Sequence, residues 1–339
     1  MPSAVFDWWC SVRFIYLSAF GQYIGGLIEQ KRADGYIYDS EEYLLKNFDD
    51  FCLSRFQETQ TVTPEIVDAW SEIKPTEGKN TRKRRVVMLR QLCLYMLSLG
   101  IDTYVPRGNF STEKPMLYIP TPSEITCFFQ KLDSWRVYGS GSRPELDMRF
   151  LREYRIIFRL YYCCGLRLSE ARLLRREHVD LTQGTITILQ SKGAKDRLVY
   201  LPQDGVNMLA KYMRDIKREF PDSPWLFPGK AVGKPLAASS IHCKFATIWN
   251  LVPGSANAGK KPSPHCLRHA FVVERMNEWM RQGVNLQEML PYLSKYLGHE
   301  SPAETFYYYH LVDNAFAVVR QKDRISHRVI PEVIPFEED

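Results

Sequence analysis

Apolar residues recur at helical spacing along the first part of the chain. Within residues 14–58, the stretch YLLKNFDDFCLSRF (43–56) places an apolar residue every three or four positions. A second helix is predicted over 63–73, because Thr63 followed by Pro64 is a typical helix start. The pattern therefore predicts a helical N-terminal region.

Segment 78–100 is predicted to be a helix with two unlike halves. Its rear half carries an apolar stripe: Val87, Leu89, Leu92, Leu94 and Leu97. Its front half carries five cations: Lys79, Arg82, Lys83, Arg84 and Arg85. Cations at a helix start oppose the helix dipole, which favours an external anion as their partner. A solvated basic surface is the alternative.

The pattern changes after residue 100. Glycine and proline become frequent and helical periodicity is lost, so we predict an interdomain linker at 105–119. A capped helix is predicted at TPSEITCFFQKL (121–132) and another helix near 146–163. The β-type runs TITILQ (185–190) and LVYLP (198–202) flank a glycine turn and predict a hairpin. Helices return after it, so the expected fold is mainly α with a small antiparallel β-sheet.

Composition narrows the class of protein. The chain has 339 residues with 45% hydrophobic content, enough for two domains with their own cores. The net charge of +6 fits a polyanionic partner without proving one.

The eight cysteines show no CxxC pair and no ligand spacing, so we expect free thiols, no metal and no cofactor. Asp7 and Arg13 interrupt the apolar segment 4–28, so we expect a helix of a cytoplasmic protein rather than a membrane span.

Four stretches concentrate arginine, lysine, histidine and tyrosine. They are GLRLSEA with Arg167, SKGAKDR with Lys192 in the predicted hairpin turn, HCLRHAF, and LGHESPAETFYYYH with His299. In HCLRHAF, His265 and Arg268 lie three residues apart and therefore share one helix face.

These residue types suit phosphodiester cleavage by a protein nucleophile. Guanidinium groups bind non-bridging phosphate oxygens and stabilise the charge of the transition state. A lysine or histidine can protonate the leaving sugar oxygen, and a base can activate the attacking hydroxyl. A tyrosine nucleophile gives a phosphotyrosine, which conserves the bond energy for rejoining without ATP or a metal.

The four stretches resemble the signature boxes of the tyrosine recombinase, or phage integrase, family. The boxes G-L-R-x-S-E, K-G-x-K-x-R, H-x-L-R-H and L-G-H with T-x-x-Y-x-H occur in the family's order over residues 120–322. The resemblance implies a two-domain, C-shaped DNA clamp. It implies a core-binding (SAM-like) DNA-binding domain at 1–104 and a catalytic domain at 120–326, on either side of the linker predicted at 105–119. The last residues, 327–339, are expected to form an acidic tail.

The resemblance also implies roles for individual residues. Arg167 and Arg268 are expected to clamp the scissile phosphate. Lys192 is similar to the hairpin lysine that protonates the 5′ oxygen, His265 is a general acid/base candidate near the nucleophile, and His299 resembles the residue that hydrogen-bonds the phosphate. Taken alone, each of these side chains is more often an ordinary surface or core residue, and it is their occurrence together and in order that favours the site.

The nucleophile has to be chosen among three adjacent tyrosines. Family spacing from the L-G-H box selects Tyr308, whereas Tyr307 and Tyr309 point about 100° away on a helix. Lys195 is the alternative to Lys192 on the same turn. Glu170 either orients a basic residue of the site or serves the helix dipole.

The implied partners are double-stranded recombination sites and further protomers. Phosphate contacts are expected from the five cations of segment 78–100 and from Lys195 and Arg197. The resemblance implies a homotetramer on two duplexes, or assembly with a related recombinase, with exchange through a Holliday junction in integration or excision of a mobile element. It leaves open whether segment 311–326 docks on a neighbouring protomer. Alternatives are an accessory recombinase, a type IB-like topoisomerase and a non-enzymatic DNA-binding regulator.

Overall fold

The computed structural model describes residues 14–75, 77–108, 110, 112–113, 117–136, 144–189, 196–231, 233–254 and 262–308. Contacts divide the chain into two compact units, Met1–Pro115 and Met116–Asp339. The boundary falls inside the segment 105–119, for which the sequence predicts a linker. The acidic tail and segment 311–326 lie outside the described residues.

Unit 1 is helical, as the apolar spacing predicts. The cap predicted at Thr63 is present, because its side chain accepts a hydrogen bond from the backbone N–H of Ile66. The core is rich in aromatic rings, with Phe48 and Trp70 in edge-to-face contact at 5.2 Å between ring centroids. The helices are α1 (Gly21–Ala33), α2 (Asp39–Arg55), α3 (Pro64–Ser71) and α4 (Lys79–Ser98).

The buried face of α4 differs from the predicted stripe. Leu89 and Leu92 are buried, but Leu94 is 52% exposed and Leu97 is 41% exposed. A different face of α4 is buried, because α1, α2 and α3 all pack on that face. That face also includes Arg85, Val86, Met88, Cys93 and Met96. The prediction was wrong for Leu94 and Leu97 because an apolar-rich helix has more than one face that could be buried.

Unit 2 is mainly helical and contains a small sheet, which confirms the predicted fold class. Its first helix begins with a capping box, in which Thr121 and Glu124 bond to each other's backbone N–H. The helices are α5 (Pro122–Ser134), α6 (Pro144–Cys164), α7 (Leu168–Arg172), α8 (Gln203–Glu219), α9 (Ala238–Trp249), α10 (His265–Arg281), α11 (Leu286–Leu297) and α12 (Pro302–Phe306).

The predicted hairpin is present and is joined by a third strand that the sequence pattern did not indicate. The antiparallel order is β1 (Val179–Asp180), β2 (Thr185–Ile188) and β3 (Arg197–Tyr200). Ile188 pairs with Arg197, so Arg197 lies at the end of the ladder next to the turn. Lys192 and Lys195 of that turn lie outside the described residues.

Helices α6 and α10 form the centre of unit 2 and pack closely on each other. Ile157, Phe158 and Tyr161 of α6 are buried in the main core, and Tyr308 belongs to a second buried cluster formed with α10 and α11. This packing fixes α10, which carries part of the site. Among the described residues, no helix combines the length and apolar character needed to cross a membrane.

Candidate active site

Arg167 lies at the N-cap of α7 in an extended conformation. Its backbone N–H donates to Glu170 Oε2 at 2.7 Å, and its Nη1 donates to Glu170 Oε1 at 2.9 Å. Its Nη2 donates to the carbonyl oxygen of Gly298, 131 residues further along the chain, at 2.5 Å. The GLR and LGH stretches are therefore joined through this guanidinium.

Glu170 holds two arginines at once. Beside Arg167, it accepts hydrogen bonds from Arg197 Nη1 at 2.9 Å and Arg197 Nη2 at 2.8 Å. Burial opposes ionisation of this carboxyl, but the hydrogen bonds and charges of Arg197 and Arg167 prevail and lower its pKa to about 2. The geometry supports both interpretations of Glu170, because it accepts the backbone N–H at the start of α7 and also holds the side chains of Arg167 and Arg197.

Arg197 is not placed as a DNA contact, and this expectation is corrected. Its side chain is only 8% exposed and is engaged by the buried Glu170 carboxylate. Its Nε donates to the carbonyl oxygen of Tyr296 at 2.8 Å. The reason is that β3 brings Arg197 against α7 and α11, where an ionised carboxylate binds it more favourably than solvent can.

Arg268 lies on α10 and is 1% exposed. Its Nη1 donates to Gly165 O at 2.6 Å, and its Nη2 donates to Leu297 O at 2.9 Å. Burial, together with the nearby charge of Arg167, lowers the pKa of Arg268 to about 10, which leaves the guanidinium protonated at neutral pH.

Two glycines make these contacts possible. Gly165 has a φ of +61° and Gly298 a φ of +65°, in the left-handed region that favours glycine. A Cβ on Gly298 would lie 2.9 Å from the Arg197 guanidinium, and one on Gly165 would lie 2.6 Å from the Phe271 ring. The glycine of the LGH stretch therefore lets the backbone approach the arginines closely, and the glycine of the GLR stretch lets it pack against the Phe271 ring.

His299 follows α11 and bridges Arg268 to α12. Its Nε2 lies 3.1 Å from Arg268 Nη2, and its Nδ1 lies 2.7 Å from Thr305 Oγ1. A guanidinium can only donate, so Nε2 accepts and the proton of the neutral ring resides on Nδ1, which donates to Thr305. Burial and the charge of Arg268 lower the pKa of His299 to about 3, consistent with a neutral ring.

Tyr308 is 5% exposed, and its hydroxyl is hydrogen-bonded to a residue that the sequence analysis did not single out. His269 Nδ1 lies 2.6 Å from Tyr308 Oη. Burial raises the pKa of Tyr308 to about 12, although Arg268 lowers it in part, so the phenol is protonated at neutral pH. The available signal was the position of His269 four residues after His265, which places both on one helix face.

His265 lies one turn before His269, and its side chain is exposed. The two rings meet edge to face at 4.5 Å between centroids. The structure therefore brings together Arg167, Arg268, His299 and Tyr308, with His265 beside them.

The five cations of segment 78–100 differ from one another. Arg85 is 4% exposed, and its Nη2 bonds to Glu77 at 2.6 Å, so the expectation that it contacts DNA is corrected. The basic helix start was expected to have an external anion as its partner. For Arg85, the anionic partner is instead Glu77, which lies in the same unit. Lys79 pairs with Glu113 and Arg84 pairs with Glu41, both at exposed positions, whereas Arg82 and Lys83 are half-buried.

Comparison with known proteins agrees with this geometry. The phage integrase family model matches residues 149–315. The chain is 37% identical over 304 residues to the putative integrase/recombinase y4rE of Sinorhizobium fredii (strain NBRC 101917 / NGR234), covering 86% of this chain and 93% of that protein. It is 29% identical to the tyrosine recombinase XerD of Pseudomonas aeruginosa (strain ATCC 15692 / DSM 22644 / CIP 104116 / JCM 14847 / LMG 12228 / 1C / PRS 101 / PAO1), covering 62% of this chain and 67% of that protein.

The chain therefore belongs to the phage integrase family, and its enzyme class is that of the tyrosine-type site-specific recombinases. Solved structures show the same fold. The post-cleavage complex of XerH recombinase with palindromic difH substrate has a TM-score of 0.62 at 16% identity, covering 92% of each chain. The Tn1549 transposon integrase in complex with transposon right end DNA has a TM-score of 0.60 at 16% identity, covering 90% of this chain and 99% of that one.

Proposed function

We propose that this protein cleaves and rejoins DNA strands through a 3′-phosphotyrosyl intermediate formed on Tyr308. One observation carries the proposal: two arginines, two histidines and a tyrosine from separate stretches converge in one hydrogen-bonded site. Arg268 contacts His299, and the residue next to it, His269, contacts the Tyr308 hydroxyl. Arg167 donates a hydrogen bond to the carbonyl oxygen of Gly298, the residue that precedes His299.

The chemistry follows from the charges of these groups. The two guanidiniums of Arg167 and Arg268 stabilise the negative charge that the scissile phosphate gathers during attack. The neutral His299 is held between Thr305 and Arg268. To bond a phosphate oxygen, its ring must carry the proton on Nε2, which then donates to the phosphate instead of accepting from Arg268. Lys192 supplies the proton for the leaving 5′ oxygen, and the 5′ hydroxyl later attacks the phosphotyrosine to rejoin a strand.

We propose double-stranded DNA as the substrate and several protomers as the working assembly. The XerH and Tn1549 integrase structures of the same fold are described as DNA complexes, which supports this choice. Of the two compact units, Met1–Pro115 and Met116–Asp339, we propose that the first is the core-binding domain and the second the catalytic domain. Lys79, Arg82, Lys83 and Arg84 remain the candidate phosphate contacts of unit 1.

We further propose that the substrate is the end of a mobile element. The relative with 37% identity is named a putative integrase/recombinase, and one structural neighbour is a transposon integrase. The DNA that flanks the coding sequence of an element-borne recombinase contains the element's own ends. Nicked duplexes tiled across that DNA are therefore the probe of choice.

Covalent trapping tests the proposal. Each nicked duplex is incubated with wild-type protein, with Tyr308→Phe and with Tyr307→Phe, and adducts that resist denaturation are resolved on a gel. We expect an adduct with wild type and Tyr307→Phe and none with Tyr308→Phe. An adduct that survives in Tyr308→Phe would assign the nucleophile to another tyrosine. Binding without any wild-type adduct would favour an accessory protein that depends on an active partner.

A further inference from the structure

Arg197 and Glu170 form a forked ion pair between two mostly buried side chains. Nη1 of Arg197 donates to Oε1 of Glu170 at 2.9 Å, and Nη2 donates to Oε2 at 2.8 Å. The side chains are only 8% and 5% exposed. A forked pair fixes the direction of a carboxylate as well as balancing its charge. Arg197 therefore acts on the group that orients Arg167.

We propose that Arg197 is a positioning residue of the reaction. It neutralises Glu170, so that this carboxylate orients Arg167 without cancelling the positive charge that Arg167 and Arg268 offer to the scissile phosphate. The inference rests on the proposed function, in which these two arginines bind that phosphate. Arg197 is engaged with Glu170 and with the carbonyl oxygen of Tyr296, so we assign it no contact with DNA.

Glu170 reaches both phosphate-binding arginines through the same two oxygens that bind Arg197. Oε1 accepts a hydrogen bond from Nη1 of Arg167, and Oε2 accepts one from the backbone N–H of Arg167. Oε2 also lies 4.0 Å from Nη1 of Arg268. Without Arg197, the full charge of the carboxylate would act on Arg167 and Arg268. The carboxylate would then compete with the phosphate for both guanidinium groups.

The charges of the cluster explain what the third guanidinium contributes. Three guanidinium groups and one carboxylate leave a surplus of two positive charges. A phosphodiester carries one negative charge and gathers a second as the nucleophile attacks, so the surplus matches the transition state. Loss of Arg197 would halve that surplus. Because the mismatch is largest in the transition state, the expected defect lies in the cleavage rate rather than in DNA affinity.

Arg197 also supports the backbone that binds Arg167. Its Nε donates to the carbonyl oxygen of Tyr296 at 2.8 Å, near the end of α11. Two residues later, the carbonyl oxygen of Gly298 accepts a hydrogen bond from Nη2 of Arg167. A Cβ on Gly298 would lie 2.9 Å from Nη1 of Arg197, so the guanidinium packs directly against this turn. Arg197 thus holds both the carboxylate and the backbone segment that orient Arg167.

The test compares the rate of cleavage with DNA affinity. Single-turnover adduct formation is measured on a nicked duplex that wild type cleaves, with protein in saturating excess, and duplex affinity is measured by titration. We expect Arg197→Met to form adduct about 10- to 100-fold more slowly than wild type, with a duplex Kd within about twofold of the wild-type value. Arg197→Gln removes the charge but can still donate a hydrogen bond, and it should be similarly slow.

A double variant tests whether Arg197 acts through the charge of Glu170. Glu170→Gln/Arg197→Met removes the carboxylate together with its neutralising cation, so the surplus of two positive charges is restored. We expect this variant to be slower than wild type but at least about fivefold faster than Arg197→Met. Glu170→Gln alone completes the cycle. If Arg197→Met does not fold, Arg197→Gln and Glu170→Gln/Arg197→Gln give the same comparison.

Arg85 provides the matched control for the loss of a buried ion pair. Its Nε and Nη2 donate to the two carboxylate oxygens of Glu77 at 2.9 and 2.6 Å, and the side chains are 4% and 7% exposed. Arg85→Met should therefore lower the unfolding temperature as Arg197→Met does, yet form adduct at the wild-type rate. All variants are assayed well below their unfolding temperatures.

A wild-type rate in both Arg197→Met and Arg197→Gln overturns the proposal. A double variant that is no faster than Arg197→Met also overturns it, because the effect then does not pass through the Glu170 charge. The same holds if Arg85→Met is equally slow, or if duplex affinity falls as much as the rate. Absence of a wild-type adduct, or an adduct that persists in Tyr308→Phe, overturns the proposed function and this inference together. Failure of the inference alone is recognised because wild type and Tyr308→Phe still behave as expected.

Discussion

Replacing Glu170 with glutamine removes the carboxylate that orients two arginines of the site. The side chain is 5% exposed and bonds both Arg167 and Arg197. Its pKa falls from the ordinary value of 4.5 to about 2 in the folded protein. At about 1.4 kcal/mol per pKa unit, the folded state favours the ionised form by roughly 3 kcal/mol. Glu170→Gln should therefore lower the free energy of unfolding by about 3 kcal/mol at pH 7.

The pH dependence has a definite sign. Because the pKa is lowered on folding, the stabilisation is fully present above pH 4.5 and is lost as pH falls from 4.5 toward 2. Urea unfolding of wild type and Glu170→Gln at pH 7, 5, 4 and 3 measures this directly. The difference between the two proteins should be constant from pH 7 to 5 and should shrink at pH 4 and 3.

A surface ion pair in the same unit provides the matched control. Glu219 bonds Arg152 through both of its carboxylate oxygens, but the side chains are 30% and 38% exposed. Glu219→Gln should cost less than about 1 kcal/mol, because exposed ion pairs contribute little. A Glu170→Gln effect below about 1 kcal/mol at pH 7, or one that does not change between pH 5 and 3, would refute the reasoning.

Three further predictions follow from individual contacts. Gly298→Ala should abolish most cleavage activity and lower the free energy of unfolding more than Gly283→Ala does. Both glycines have a positive φ, but only Gly298 lies against guanidinium groups. Equal effects of the two substitutions in thermal unfolding and trapping assays would contradict this. Thr305→Val should cost about 1–3 kcal/mol in urea unfolding and slow adduct formation, because it leaves the ring N–H of a histidine unpaired; an unchanged rate would count against it. Arg85→Met should destabilise by about 3–5 kcal/mol without changing the salt dependence of DNA affinity, whereas Lys83→Ala should reduce that salt slope by about one; the reverse pattern in titrations at several salt concentrations would exclude this division.

The fold could be predicted where local signals decide it. Thr63 and Thr121 each begin a helix because the threonine side-chain oxygen accepts a hydrogen bond from a backbone N–H of the first turn, which has no other helical partner. A proline follows each threonine, and Glu124 completes a capping box with Thr121. The hairpin of β2 and β3 follows from two β-type runs around a turn. The third strand, β1, was missed because two residues, Val179–Asp180, are too few to show an alternating pattern.

The basic residues of α4 and β3 show where local signals fail. Arg85 and its neighbour Arg84 have the same sequence context, yet one is buried on Glu77 and the other lies at an exposed position. Arg197 looked like a turn cation, but β3 brings it against Glu170, 27 residues away in sequence. Charge alone does not reveal which cations already have a buried carboxylate as partner.

The sequence by itself determined the fold class, the family and the set of chemically active residue types, because those depend on short motifs and their spacing. Tertiary structure alone decided which histidine contacts the Tyr308 hydroxyl. His269 and Tyr308 are 39 residues apart, and their hydroxyl–imidazole bond exists only because α10, α11 and α12 pack around one buried cluster. The partner of a buried polar group depends on which distant segments pack together, and the spacing of residues along the chain does not show which segments those are.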